Sequence, residues 1–181
     1  MNPDFRHQSD RAAALSLPAD SPCVPFGDSE SRRAAIATFD RHVAVVAGAG
    51  TGKTELLIRR MCVWLAGVGW QRTSRRLGEH ATADSISREA CTRLVATTFT
   101  ERAAAEMKER LDARLLELAT AARSPAWLSG ALESDSDWKE TRYRFAKLAR
   151  SSPFVSISTF HSYAIRILRR FSAEVGLVDG F

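Results

Sequence analysis

The sequence predicts an α/β fold, a parallel sheet flanked by helices, and three observations carry that expectation. Short β-branched runs alternate with longer segments of helical period. Each predicted strand turns directly into a helix, as in right-handed crossover units. The three strand-to-helix turns, 47–53, 97–100 and 158–162, are rich in glycine or in threonine and serine, and such turns collect ligands at the carboxyl edge of a parallel sheet.

Residues 1–27 hold Pro3, Pro18, Pro22 and Pro25 and no sustained period, which reads as a disordered tail. Folding is expected from residue 28. The segment 28–40 is a short helix with Asp28 or Ser29 as N-cap and Ala35, Ile36 and Phe39 on one face. His42 to Val46 is a compact apolar run before a glycine cluster, predicting a buried strand. From Glu55 to Val68 the period is helical, with Leu57, Met61, Trp64 and Leu65 inward and Glu55 four residues before Arg59.

Leu94 to Phe99 is the second expected strand. The helix after it, 100–122, has its inward stripe at Ala104, Met107, Leu111, Leu115 and Leu118. Asp137 and Glu140 form a capping-box pattern at the start of a helix reaching Arg150, and Pro153 forbids its continuation. Val155 to Thr159 is the third strand. The last helix, 160–174, turns Phe160, Ala164, Ile167, Leu168 and Phe171 inward and ends by Gly176. Two stretches, 67–88 with its arginines and 123–136, show no clear period and read as long connections.

Composition bounds the function. The chain has 181 residues, 45% of them hydrophobic, with 26 Lys plus Arg against 21 Asp plus Glu. That is a globular composition with a net charge of +5, compatible with a polyanionic partner and equally with a solvated basic face. No apolar stretch approaches the roughly 20 residues of a membrane span, so an unsecreted cytoplasmic protein with no membrane partner is expected. Cys23, Cys62 and Cys91 are scattered, with no CxxC pair to suggest zinc or a disulfide framework.

The first turn reads Ala47-Gly48-Ala49-Gly50-Thr51-Gly52-Lys53-Thr54, a phosphate loop between strand and helix. Its glycines let backbone N–H groups curl round a phosphate, Lys53 reaches the β and γ phosphates, and the Thr54 hydroxyl ligates magnesium. A nucleotide with Mg is expected here, ATP being what the family resemblance described below implies, with Lys53 and Thr54 as the catalytic pair. Guanine recognition through an Asn-Lys-x-Asp element is impossible, because Asn2 is the sole asparagine. No apolar run ends in Asp or Asp-Glu as a second magnesium site requires; the nearest, Gly176 to Asp179, is too short.

In the other two turns Thr98, Thr100, Thr159 and Ser162 offer hydroxyls and helix-start N–H groups to phosphates. Phe99 and Phe160 offer either a stacking face or core anchors. His161 is either a backbone-phosphate contact or a helix cap, and Arg166, Arg169 and Arg170 form the outer face of the last helix.

The strings LVATTFTERAAAEMKERL from Leu94 and VSISTFHSYAIRILRRF from Val155 resemble motifs Ia and Ib of the UvrD/Rep family of superfamily 1 DNA helicases, and AGAGTGKT resembles their motif I. The resemblance covers residues 28–181 and leans to the AddA/RecB-like branch, because Glu101 stands where UvrD-like members usually carry Asn. It implies a RecA-like P-loop NTPase domain, incomplete here and equivalent to the N-terminal part of domain 1A. It also implies ATP-dependent 3'-5' translocation on single-stranded DNA in repair or recombination, with a possible nuclease/helicase partner subunit, and a DNA path over Thr98, Phe99, Thr100, Thr159, Phe160, His161 and Ser162. The adenine-reading glutamine of UvrD-type members aligns with Arg32, which either stacks on the base or is solvated. As a fragment without Walker B the isolated chain is expected to be inactive. The alternatives are a small P-loop kinase, or a nucleotide- or single-strand-binding module without turnover.

Overall fold

The computed structural model describes residues 29–46, 48, 50–132 and 137–172. The expected tail, the Asp28 cap, Ala47, Ala49 and the helix stop at Gly176 lie outside the described residues.

Among the described residues seven α-helices and two strands run in the order α1 (Ser29–Ala37), α2 (Lys53–Trp64), α3 (Trp70–Leu77), α4 (Ala83–Thr92), β1 (Val95–Thr98), α5 (Glu101–Thr120), α6 (Trp138–Ser151), β2 (Ser156–Thr159) and α7 (Phe160–Arg170). The protein is therefore mixed α/β, with a two-stranded parallel sheet. Register pairs Val95 with Ser156 and Thr98 with Thr159, so both strands end side by side and their helices leave from one edge.

The core lies among the helices. α5 buries Ala104, Met107, Leu111, Leu115 and Leu118, the stripe its sequence spacing predicts, and packs on α6, where Phe145 and Leu148 are fully enclosed. α2 is buried on more than one side, through Leu56, Ile58, Met61, Cys62 and Val63. That is wider than the predicted single stripe, because α1 and α5 both pack on it. The expected Glu55–Arg59 pair forms at 2.7 Å. At the start of α6, Asp137 caps by accepting from the Lys139 amide at 3.1 Å, while Glu140 pairs with Arg144 instead of completing a capping box.

Three expectations are corrected. The stretch 67–88 is mostly helical: a widened turn, Leu65–Gly69, leads from α2 into α3, and α4 follows with Thr82 as its cap. Its periodicity is hidden because only Trp70 and Ile86 are large apolar residues on the inward side, while Thr73, Ser87, Ala90 and Cys91 there are small or polar. Ser87 is accommodated there by a 2.9 Å hydrogen bond to the Ser151 hydroxyl. Gly69 is required, since a Cβ would stand 2.7 Å from the Trp64 carbonyl and ring.

The second correction concerns 42–46, which is not a strand and pairs with no strand among the described residues. Val46 is 80% exposed, because a β-branched run without a ladder partner has nothing to hold its backbone groups in a sheet. The third is α7, which buries none of its residues. Phe160, Ile167, Leu168 and Phe171 have the helical spacing expected of a core face, but no described element covers them. No helix among the described residues is long and apolar enough to cross a membrane.

Candidate functional site: a glycine loop and two paired turns

The described site residues gather in two clusters. The first surrounds the amino end of α2. Gly50 and Gly52 take positive φ, 74° and 82°, a left-handed conformation that glycine adopts without steric cost. Together they curl the chain into the helix. Lys53 opens α2 and its Nζ donates back to the Gly48 carbonyl, while the Thr51 hydroxyl donates to the same carbonyl at 2.9 Å. Thr54 follows in the first turn of α2, half-buried. The α2 N-terminus has no side-chain cap, leaving its dipole facing the loop.

Arg32, on α1, reaches this loop. Its Nη2 donates to the Thr51 carbonyl at 3.2 Å, so the guanidinium is attached to the loop backbone. Arg32, Val45, Val46, Gly48, Thr51, Gly52, Lys53 and Leu56 line an open cleft of about 220 Å³. Two cations and a glycine loop therefore face one cavity with an apolar side wall. α1 is held against α2 by Arg60, whose guanidinium lies 4.5 Å from the centre of the Phe39 ring and donates to the Ala35 carbonyl.

Glu55, in the same first turn, accepts from Arg59 at 2.7 Å and from Arg114 of α5 at 2.8 Å. Burial pushes its carboxyl upward, but these two guanidiniums outweigh it and hold the group below the usual carboxylate value. Arg114 also binds Glu117 at 2.7 Å, so the loop-bearing helix is tied to α5.

The second cluster is built by the strand register. Thr98 and Thr159 face each other at the end of the ladder. Thr100 caps α5 by accepting from the Ala103 amide, and Thr159 caps α7 by accepting from the Ser162 amide, each at 3.1 Å. The Thr98 hydroxyl donates to the Thr100 carbonyl at 2.9 Å. Phe99 is fully exposed and Phe160 67% exposed, so neither is a core anchor; His161 beside them is exposed as well. Sequence reasoning missed the role of Glu101: its Oε1 accepts from Thr159 Oγ1 and from Ser162 Oγ, both at 3.0 Å. The available signal was an acidic residue directly after a threonine cap, but its partners lie 58 and 61 positions away.

A glycine loop opening a helix, followed by two turns side by side at one sheet edge, is the arrangement that the sequence motifs imply. The model of the UvrD/REP helicase N-terminal domain matches residues 28–181. The chain belongs to that family. Among curated relatives, it is 30% identical over 148 residues to an ATP-dependent helicase/nuclease subunit of Desulforamulus reducens, covering 82% of this chain and 9% of the relative. It is 30% identical over 153 residues to a protein of the same name from Bacillus velezensis, covering 84% and 10%. To a "Probable DNA helicase II homolog" of Mycoplasma capricolum it is 28% identical over 153 residues, covering 84% and 14%. The chain thus spans about a tenth of the length of these relatives. The helicase/nuclease names agree with the AddA-like leaning carried by Glu101. No solved structure gives a significant match.

Proposed function

We propose that residues 28–181 are the nucleotide-binding and strand-contacting portion of an ATP-dependent DNA helicase of repair or recombination, with 3'-5' movement on single-stranded DNA. The observation that carries this reading is the loop at the start of α2: left-handed Gly50 and Gly52, with Lys53 folded back onto Gly48 beside Arg32. The described residues fit a nucleotide triphosphate with magnesium. The cradle has no side chain at Gly48, Gly50 or Gly52, and positive charge comes from Lys53, Arg32 and the helix dipole.

Gly48, Gly50, Thr51, Gly52 and Lys53 would hold the phosphates, with Ala47 and Ala49 completing the motif, and Thr54 would hold the magnesium ion. ATP supplies the phosphoryl transfer energy when bound. Lys53 would exchange the Gly48 carbonyl for a phosphate oxygen, a neutral acceptor for a charged one. Arg32 steadies the Thr51 carbonyl and keeps the loop closed on that side of the cleft. The turns at Thr98, Phe99, Thr100 and at Thr159, Phe160, His161, Ser162 form the strand-facing surface, and the exposed rings supply sequence-tolerant contact with bases. In the whole protein a nuclease/helicase partner subunit joins this machinery, in the cytoplasm.

Titration of the chain with Mg-ATP tests the reading: wild type should bind weakly and hydrolyse negligibly, and Lys53→Ala should lose binding. Equal binding by the two proteins overturns the assignment of the loop, and vigorous DNA-stimulated hydrolysis by this chain alone overturns its reading as one part of a larger motor.

A further inference from the structure

Glu101, Thr159 and Ser162 form a closed triangle of oxygens. Thr159 Oγ1 and Ser162 Oγ stand 2.9 Å apart, and each is 3.0 Å from Glu101 Oε1. A carboxylate only accepts, and each hydroxyl carries a single proton. Two protons therefore serve three edges, and while the triangle is closed both are used within it. The Thr159 oxygen accepts the Ser162 amide besides, and Thr159 is 7% exposed. Glu101 is not needed by its own helix cap, which Thr100 supplies.

We propose that Glu101 is a positioning residue: it clasps the β2–α7 turn to the first turn of α5, setting the spacing between Phe99 and Phe160–His161 and withdrawing the Thr159 and Ser162 hydroxyls from phosphate binding. The inference rests on reading the two turns as a single-strand track, and it changes how that track works. The ladder ends at the Thr98–Thr159 pair, and the clasp adds one more tie beyond it, from the residue after the α5 cap to the third residue of α7. A strand oxygen approaching Thr159 or Ser162 meets no available proton and a negative charge, so contact passes to the exposed rings and His161.

A double-mutant cycle on binding of a fluorescent oligothymidylate to the 181-residue chain tests this. Glu101→Ala should weaken binding roughly five- to tenfold, and Glu101→Ala/Ser162→Ala no further, since residues acting through one contact are non-additive. Glu101→Gln retains an Oε1 acceptor and should bind at least as well as wild type. Ser162→Ala alone should weaken binding no more than Glu101→Ala does, because it removes one side of the clasp and no phosphate contact. Additive losses in the double variant, or no loss in Glu101→Ala, overturn the proposal. Should wild type retain no oligonucleotide, the strand reading falls on its own account, and amide exchange at 160–163 decides the clasp. Protection lost in Glu101→Ala and recovered in Glu101→Gln sustains it, and unchanged protection overturns it.

Discussion

Alanine in place of Gly50 or Gly52 should destabilise the protein, whereas alanine at Gly48 should not. Both of the first two hold positive φ, 74° and 82°, where an L side chain costs about 1–2 kcal/mol through the clash of Cβ with the backbone. Neither adds a steric penalty. A Cβ on Gly50 meets nothing within 4 Å, and one on Gly52 lies 3.7 Å from the Arg32 guanidinium, an ordinary contact. Against the strain stands about 0.4–1 kcal/mol gained because alanine restricts the unfolded chain, which leaves a net loss of about 1 kcal/mol at each position. Gly48 lies outside the left-handed region, and its Cβ would rest 3.7 Å from the Thr51 methyl group, so only the gain applies. At about 2–4 °C per kcal/mol for a chain of this size, Gly48→Ala should melt about 3–8 °C above the other two variants. Thermal unfolding followed by circular dichroism reads the difference. Three coincident melting curves would refute the reasoning, since they would mean that the loop is not held in its left-handed bend.

Glu55→Gln should destabilise the chain at neutral pH by about 1 kcal/mol, the scale of partly exposed ion pairs in a small network. The folded carboxyl titrates below its ordinary value of 4.5, so its contribution is complete above that value and drains away as pH falls through the lower folded one. The wild-type and variant stability curves should therefore converge on acidification, and a gap that persists in acid would contradict the pairing with Arg59 and Arg114. Leu115→Ala, at a fully enclosed position between α5 and its neighbours, should cost about 2–5 kcal/mol in denaturant titrations; a loss under about 1 kcal/mol would place the core elsewhere. Burial pushes the Cys91 thiol up to about 12 and the Cys62 thiol further, so native protein should leave both unmodified by a thiol reagent that labels them at once in denaturant. Amides of Val43 to Val46, which lack a ladder, should exchange far faster than those of Val95 to Thr98; comparable protection would reveal a pairing of that segment.

How much could be read from the sequence depended on whether the deciding contacts were local. The α5 stripe was legible to the residue, because five apolar side chains at helical spacing on a 20-residue helix admit one inward face. The glycine loop that opens α2 was legible because its glycines, lysine and threonine are contiguous, and the Thr100 and Thr159 caps follow from threonine at a strand-to-helix turn. The α3–α4 stretch was not, since Trp70 and Ile86 are its only large apolar inward residues beside the small or polar Thr73, Ser87, Ala90 and Cys91, and Gly67 and Gly69 obscure the passage out of α2. The 42–46 run has strand composition, yet a strand exists only through its neighbour, and composition carries no information about that neighbour. The same holds for α7, whose apolar spacing is helical while its covering is not a property of the helix. Glu101 illustrates the limit within the site: residue 101 and residues 159 and 162 meet only because β1 and β2 pair in register.

The salt bridges around Arg114 make α5 a physical link between the two clusters. Its first residue, Glu101, touches the turn at Thr159 and Ser162, and thirteen residues later Arg114 grips Glu55 in the turn that carries Lys53. At 1.5 Å per residue those grips are about 20 Å apart along one unbroken helix. A rod held at both ends transmits a tilt without a hinge to absorb it. A displacement of the glycine-loop end of α2 would therefore reach the threonine turns along one unbroken helix, over a lever arm set by where along α5 the arginine sits.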